Sequence, residues 1–324
     1  MKSENKKKIK VLVRGAGDIA SGIIWNLAYA GFDVCCTEVN NPSTIRTEVA
    51  FSSAVYDGKK VLDGIECILC KETYNSSIKE GLCHFDNEKN LQSVTSMIYK
   101  CFDEKKVALI VDPEACILKE INFDVVVDAI LAKKNLGTKI DMAPLVIGVG
   151  PGFTTNVDCH IAIETMRGHN LARIIEDGSP MKNTGVPGFI SGHSSDRVIY
   201  SPERGIIHNL HKIGDVVKKD EVIAEVITNL KCKDYTKDDG LSNQPLKEDF
   251  KCNISTSGDE CIKVFASIDG ILRGIIRDGY NVTKGLKIAD IDPRLSEYEN
   301  CFTISDKARA IGTAVVTGIV NRFY

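Results

Sequence analysis

The sequence predicts an α/β protein: an open, mostly parallel sheet built from strand–helix–strand units, then a smaller β-rich domain, then a closing helix. Three observations predict it. Apolar runs of strand length alternate with helix-period runs through the first half. The second half aligns with itself without a gap. The C-terminal segment carries an apolar row, Ile311, Val315 and Ile319, at helical spacing.

Ile9 to Val13 reads as a buried strand, and Asp18 to Tyr29 as a helix with Ile19, Ile23 and Leu27 on one stripe. "GFDVCCTEV" is a second strand entered through Gly31, which completes a unit of the length a parallel pair needs. "KKVLDGIECILC" reads as a hairpin turning at Asp63-Gly64, the signature of a type I′ turn. Asn87 to Glu104 has a helical stripe of Leu91, Val94, Ile98 and Phe102. The strands "VALIVD", "DVVVDAIL" and "PLVIGVG" follow. This order is Rossmann-like and defines a first domain over residues 1–185.

In the second half, "SPERGIIHNLHKIGDVVKKDEVIAEV" from Ser201 aligns with "ASIDGILRGIIRDGYNVTKGLKIADI" from Ala266. Gly205 matches Gly270, Gly214 matches Gly279, and Ala224 matches Ala289. Each copy reads as strand, turn, strand. Two interlocking copies resemble the barrel-sandwich hybrid of biotinyl and lipoyl domains. The modified lysine of those domains has no counterpart, because a polar insert, about 228–262, separates the copies. The second domain spans 186–298. Residues 299–324 form the closing helix, with Ser305 as N-cap and Asp306 in the first turn, docking on one of the domains.

Composition narrows the function classes. The chain has 324 residues, is 43% hydrophobic and carries a formal net charge of −3, so a sizeable core is available and nothing points to nucleic acid or an anionic membrane. No apolar run approaches the roughly 18 residues that span a bilayer, and Arg14 interrupts the first apolar run too early for a signal peptide. A cytoplasmic protein is expected. The twelve cysteines are scattered, and strand period sends Cys67 and Cys70 to opposite faces, so the C-x-x-C is not read as a metal knuckle and no metal site is assigned.

Three segments carry candidate chemistry. Gly15-Ala16-Gly17-Asp18-Ile19-Ala20 fits the dinucleotide fingerprint G-x-G-x-x-A between strand and helix, and Glu38 stands at the end of the next strand, where a ribose hydroxyl would be accepted. Asp18 would repel a pyrophosphate there unless Arg14 or Arg46 offsets it; the alternative is a tight turn in which Asp18 only complements the helix dipole. In "PGFTTNVDCHIAIETMRGHN", a strand over Asp158–Thr165 would put Asp158, His160 and Glu164 on one face for proton transfer, followed by Arg167 and His169 in a turn; a solvated sheet face is the bland alternative. Gly150 and Gly152 precede it, in a loop where backbone approaches a ligand. The third segment, "DAILAKKNLGTKIDMAP", offers Asp128, Lys133 and Asn135, which with Asp112 would converge on the glycine turn at the carboxyl ends of the strands. NAD(P) is the cofactor the fingerprint alone suggests, with an oxidoreductase as the matching function.

These segments, with "STIRTEVAFSSAVYDG", "NTGVPG", "DIDPR" and "CFTISDKARAIG", resemble the accessory proteins of selenium-dependent molybdenum hydroxylase systems over nearly the whole chain, Val11 to Ile319. The resemblance implies a role in maturing such a hydroxylase. It implies binding of a molybdopterin-type dinucleotide cofactor or assistance in inserting labile selenium. The apo-hydroxylase is then the partner, and a homo-oligomer is compatible. On this reading the glycine turn holds the pterin dinucleotide's pyrophosphate and Glu38 lies near a ribose. His160, Glu164 and Arg167 face the reactive end, and Cys159 or Cys301 handles sulfur or selenium. A non-enzymatic scaffold that recruits the hydroxylase through its repeat is the remaining alternative.

Overall fold

The apolar residues after Lys10 have both faces to bury, and they form the central strand of a nine-stranded sheet. A computed structural model describes residues 8–71, 88–185, 192–193, 195–228 and 260–324. The basic N-terminal run before Lys8, most of the polar insert, the end of "NTGVPG", and Cys83, Cys232 and Cys252 lie outside the described residues. The chain divides into two compact units. The first comprises Met1–Pro42, Val49–Thr184 and Thr303–Tyr324, and the second Ser43–Glu48 and Gly185–Phe302.

In the first unit β1 (Lys10–Arg14) runs into α1 (Asp18–Tyr29) and β2 (Asp33–Glu38). The short α2 (Ala54–Asp57) leads to the hairpin β3 (Lys59–Leu62) and β4 (Ile65–Leu69), whose turn has positive φ at both Asp63 and Gly64. Then come α3 (Glu88–Asp103), β5 (Val107–Val111), β6 (Val125–Asp128), β7 (Leu145–Val149), β8 (Ile161–Ile163) and β9 (Ile174–Ile175). The order is β3-β4-β5-β2-β1-β6-β7-β8-β9, parallel throughout except at the outermost pairs β3–β4 and β8–β9. Chain direction across the sheet reverses between β1 and β6, so the topological switch point lies there.

Each face of this sheet is covered differently. Val11, Val13, Cys36, Cys67, Leu109, Val127 and Ile147 pack against α1 and the closing helix. Leu12, Cys35, Cys70, Ala108, Val126 and Val146 pack against α3 and the segment around Ile117 and Phe123. Cys67 and Cys70 thus belong to opposite faces. Beyond β5 no α-helix intervenes between β6, β7 and β8, a departure from simple strand–helix alternation. The cover comes from the end of the chain instead. This closing helix is α4 (Asp306–Phe323); Ser305 Oγ accepts from the Ala308 amide as its N-cap, and Ile311, Val315 and Ile319 are fully buried.

The second unit holds two four-stranded antiparallel sheets. Their strands are β10 (Val198–Tyr200), β11 (Gly205–Asn209), β12 (Val216–Val217), β13 (Val222–Thr228), β14 (Glu260–Phe265), β15 (Gly270–Ile275), β16 (Asn281–Val282) and β17 (Lys287–Asp292). The orders are β10-β17-β15-β12 and β14-β13-β11-β16. The copies interlock: β12 of the first pairs with β15 of the second at Val217↔Gly270, and β16 pairs with β11 at Gly205↔Val282. The repeat also extends beyond its sequence limits, because β10 on β17 (Val198↔Asp290) has the same register as β14 on β13 (Glu225↔Lys263). Thr228 and Glu260–Ile262 belong to strands, so the insert is shorter than 228–262. Ser43–Glu48 and residues 299–302 pack in the second unit. Arg46 bridges to Ile275 and donates from Nη2 to the Asn300 carbonyl at 2.9 Å.

Candidate functional site

The parallel strands deliver their carboxyl ends to one edge of the first unit, and most of the sequence candidates stand on that edge. Gly15 to Asp18 follow β1, Glu38 ends β2, Asp112 follows β5, Asp128 ends β6, Gly150 and Gly152 follow β7, and Glu164 follows β8. The chemistry depends on where each side chain's polar atoms go.

The glycine turn is closed at its first half and open at its second. Gly15 has φ +96°, and a Cβ there would lie 3.0–3.2 Å from the backbone of Ala129 and Ile130, so glycine is required by conformation and by the approach of β6's end. Its amide donates to the Thr37 carbonyl at 2.8 Å. The Ala16 amide donates to Glu38 Oε2 at 2.9 Å, and the Val39 amide to Oε1 at 2.8 Å. Ser21 Oγ donates to the Ala16 carbonyl and accepts from the Phe51 amide, which fastens the segment at Phe51–Ser52 over the turn. Gly17 differs. As N-cap of α1 it has φ −69° and ψ −172°, a conformation open to any residue.

Arg14 does not offset Asp18. Its guanidinium is buried, pairs with Asp128 at 3.5 Å, donates to Thr138 Oγ1, and donates to the carbonyls of Pro113 (2.9 Å) and Leu136 (3.2 Å). Arg46 packs in the second unit, where its guanidinium donates to the Asn300 carbonyl. A cation near Asp18 is Lys307, in the first turn of α4, which no sequence motif marks. Burial and the Arg167 charge lower the Lys307 ammonium, against the opposing pull of Asp18, Glu164 and Asp306. Its string "ISDKARAIG" carried a hint only through the family resemblance.

The carboxylates are mostly spent on backbone. Asp112, fully buried, accepts from the Cys116 and Ile117 amides, both at 2.9 Å. Asp128 accepts from Thr138 Oγ1 at 2.6 Å and from the Ile130 amide at 3.1 Å. Burial raises the carboxyls of Glu38, Asp112 and Asp128 despite these bonds. Lys133 is exposed at φ +64°, and Asn135 closes its own loop on Thr138 while donating to Asp158 Oδ1 at 3.1 Å. A Cβ on Gly150 (φ +85°) would meet the Thr165 and Leu131 side chains, whereas Gly152 (φ +109°) brings backbone to backbone: a Cβ there would lie 2.6 Å from Lys134 Cα. That close approach is to the chain's own loop.

The strand predicted over Asp158–Thr165 is shorter, Ile161–Ile163, and the polar atoms of Asp158, His160 and Glu164 are engaged by different backbone amides. Asp158 accepts from the Thr154 amide at 2.9 Å; His160 Nδ1 accepts from the Val146 amide at 3.0 Å. Buried Glu164 accepts from the amides of Thr165, Met166 and Met181 at 2.7–2.8 Å. Burial, and then the Arg322 charge, lower the His160 imidazole. Arg167 makes a bidentate pair with Asp306 at 2.9 and 3.0 Å, and His169 is exposed. A cavity of about 360 Å³ opens beside Glu164 toward Asn170, Arg173 and Met181, and no glycine-turn residue lines it.

Neither candidate thiol is poised for attack at neutral pH. Burial pushes Cys159 up to about 11 and raises Cys301, which sits in the second unit near Arg46 and Arg273. Among the described residues no group of three or more His, Cys, Asp or Glu side chains is arranged to hold a metal, and no helix is long and apolar enough to cross a membrane.

The decisive likeness is in sequence. Over 310 residues, 96% of this chain, it is 39% identical to the uncharacterized protein YqeB of Escherichia coli strain K12. The chain is a homologue of YqeB. It spans 47% of that relative's length. No family model matches the sequence. Solved structures resemble it weakly. The product-bound ectoine utilization protein EutE (DoeB) of Ruegeria pomeroyi gives a TM-score of 0.24 at 12% identity, covering 89% of this chain and 86% of that one. A succinylglutamate desuccinylase/aspartoacylase of Rhodobacter sphaeroides also gives 0.24, at 14% identity over 88% and 85%. At such scores the likeness carries no argument for this chain or its YqeB relative.

Proposed function

We propose that this YqeB homologue is an accessory protein in the maturation of a selenium-dependent molybdenum hydroxylase, and that it holds a molybdopterin-type dinucleotide cofactor with the pyrophosphate at Gly17-Asp18. The observation that carries the ligand assignment is Gly17 itself. It stands beside the switch point, at the N-terminus of a twelve-residue helix, without a side chain and without a backbone conformation that needs glycine. A phosphate approaching the first-turn amides of α1 uses that missing side chain.

The residues present fit such a group in part. The Gly15 and Ala16 amides already have partners, so the phosphate meets the α1 terminus rather than the whole turn. Lys307 supplies the positive charge that Asp18 otherwise cancels. Glu38, fixed by two amides, keeps acceptor capacity for a ribose hydroxyl. The bound cofactor supplies the metal chemistry of the client hydroxylase. This chain's own part is to bind and orient it: Arg14 and Asp128 brace the switch point, and the Arg167–Asp306 pair fixes the first turn of α4 beside the turn. The family resemblance supports the maturation role, with the apo-hydroxylase as partner.

The test is reconstitution under anaerobic, reducing conditions. Apo-hydroxylase is mixed with the pterin dinucleotide, with and without this protein, and its activity is followed. Faster or more complete activation, lost with NAD⁺ or NADPH in place of the pterin dinucleotide, is expected. Tight binding of NAD(P) alone, with no effect on activation, would replace this reading with that of an oxidoreductase.

A further inference from the structure

Outside the glycine-turn edge, the first unit contains a cluster of thiols that the proposed function does not use. Cys35, Cys36 and Cys67 are fully buried in the sheet. Cys70, directly after β4, and Cys101, in the last turn of α3, meet across the sheet–helix seam with their Sγ atoms 3.8 Å apart. Both are buried, at 3% and 6% exposed, within the core that α3 forms with its face of the sheet.

We propose that Cys70 and Cys101 are a redox-active dithiol, oxidised by a hydroperoxide to an intramolecular disulfide that ties α3 to the end of β4. The sulfurs are already in van der Waals contact, one on a helix terminus and one at a strand end, and a disulfide of about 2.05 Å asks them to close the remaining gap. The two thiols are not equivalent. The hydrogen bond from Cys70 is the main cause lowering the Cys101 thiol; burial opposes it, Glu104 raises it, and Lys106 and Lys100 lower it further. The same hydrogen bond, then burial, raises Cys70. Cys101, the more exposed of the two and the one beside the Lys106 and Lys100 ammonium groups, is assigned as the attacking sulfur and Cys70 as the resolving one.

The step balances with the oxidant named. The Cys101 thiolate attacks the distal peroxide oxygen, the O–O bond breaks, and the leaving alkoxide or hydroxide takes up a proton, leaving Cys101 as sulfenic acid. The Cys70 sulfur then attacks the Cys101 sulfur. An S–S bond forms, the S–O bond breaks, and the hydroxyl leaves as water with the Cys70 proton. Two thiols lose two electrons and two protons; the peroxide gains them and yields one alcohol (or water) and one water. The cycle is closed by a dithiol reductant through thiol–disulfide exchange. Cys36 and Cys67 lie deeper, with no exposed surface at all.

The experiment uses the full chain, reduced and then freed of reductant. It is titrated with hydrogen peroxide, quenched by alkylation, digested and mapped by mass. Expected is a peptide pair joined through Cys70 and Cys101, reversed by dithiothreitol, appearing at lower peroxide dose than oxidation of the exposed Cys261. In Cys70→Ser a dimedone-trapped sulfenic acid accumulates on Cys101, and in Cys101→Ser the oxidation at position 70 disappears. Recovery of both cysteines fully alkylated at doses that oxidise Cys261 overturns the proposal in the wild-type chain, whatever the variants do. So does a cross-link from Cys70 to a different cysteine.

Discussion

Gly15 and Gly17 stand two residues apart and are glycine for different reasons. At Gly15 the backbone is left-handed and the end of β6 leaves no room, so Gly15→Ala is expected to cost about 1–3 kcal/mol of stability. At Gly17 the backbone suits any residue, so Gly17→Ala is expected to cost at most about 1 kcal/mol through the weaker N-cap. Denaturant melts of the two variants read this difference directly. Equal losses would remove the reason for assigning Gly17 to a ligand. His160 gives a second residue-scale test. Its imidazole is lowered by burial and by Arg322, so the folded protein binds fewer protons there than the unfolded chain. Its contribution is then complete above the ordinary histidine range near 6.5 and is lost as pH falls below it. A proton-NMR titration should place His160 below that range and show it rising in Arg322→Gln. A titration above it would mean that the ring is not neutral in the fold. Positions were legible in the sequence at this scale, because strand ends are marked by apolar runs that stop. Roles were not. Asp112 and Asp128 look like converging acids and Glu164 like part of a proton-transfer face, yet their oxygens are taken up by backbone amides and, for Asp128, by the Thr138 hydroxyl and Arg14, and nothing in spacing reports those partners.

At the scale of elements, α1 and the β3–β4 hairpin follow the sequence closely, since helical stripe and Asp-Gly turn are local signals. The cover over β6–β8 does not, because it is non-local. The sheet there lacks its own crossover helices, and α4 returns from the far end of the chain to bury Ile147 and Ile163. The crossing is close. A Cβ on Gly22 would lie 2.6–2.7 Å from Ala308 atoms, and one on Gly312 would lie 2.5 Å from the Gly22 carbonyl. In an open helix Gly→Ala gains roughly 0.5–1 kcal/mol. Here Gly22→Ala should instead lower the melting temperature, by a net loss of about 1–3 kcal/mol from overpacking. A stabilised variant would mean that α1 and α4 do not approach as described.

Over the whole molecule, the internal repeat was readable because glycines and alanines recur at a fixed offset, and the interlocked sheets follow that offset strand by strand. Its outer strands β10 and β14 carry no such marker, and only pairing reveals them. The same symmetry gives a test. A Cβ at Gly205 would lie 2.4 Å from the Ile227 carbonyl oxygen, and one at Gly270 2.3 Å from that of Asp292, its equivalent in the other copy. Gly205→Ala and Gly270→Ala should therefore destabilise by similar amounts, about 1–3 kcal/mol each. A large effect in one alone would show that the copies are not structurally equivalent.

The central claim is that the α1 terminus at Gly17 receives the pyrophosphate of a pterin dinucleotide. Its most direct test is anaerobic calorimetric titration of the wild-type chain and of Gly17→Val, both checked for an unchanged fold by circular dichroism, with the molybdopterin-type dinucleotide and with NAD⁺. Expected is saturable binding of the pterin dinucleotide to the wild type, weakened at least tenfold in Gly17→Val, a loss of about 1.4 kcal/mol or more. Binding of equal strength in the two proteins, or no binding to either, would contradict it.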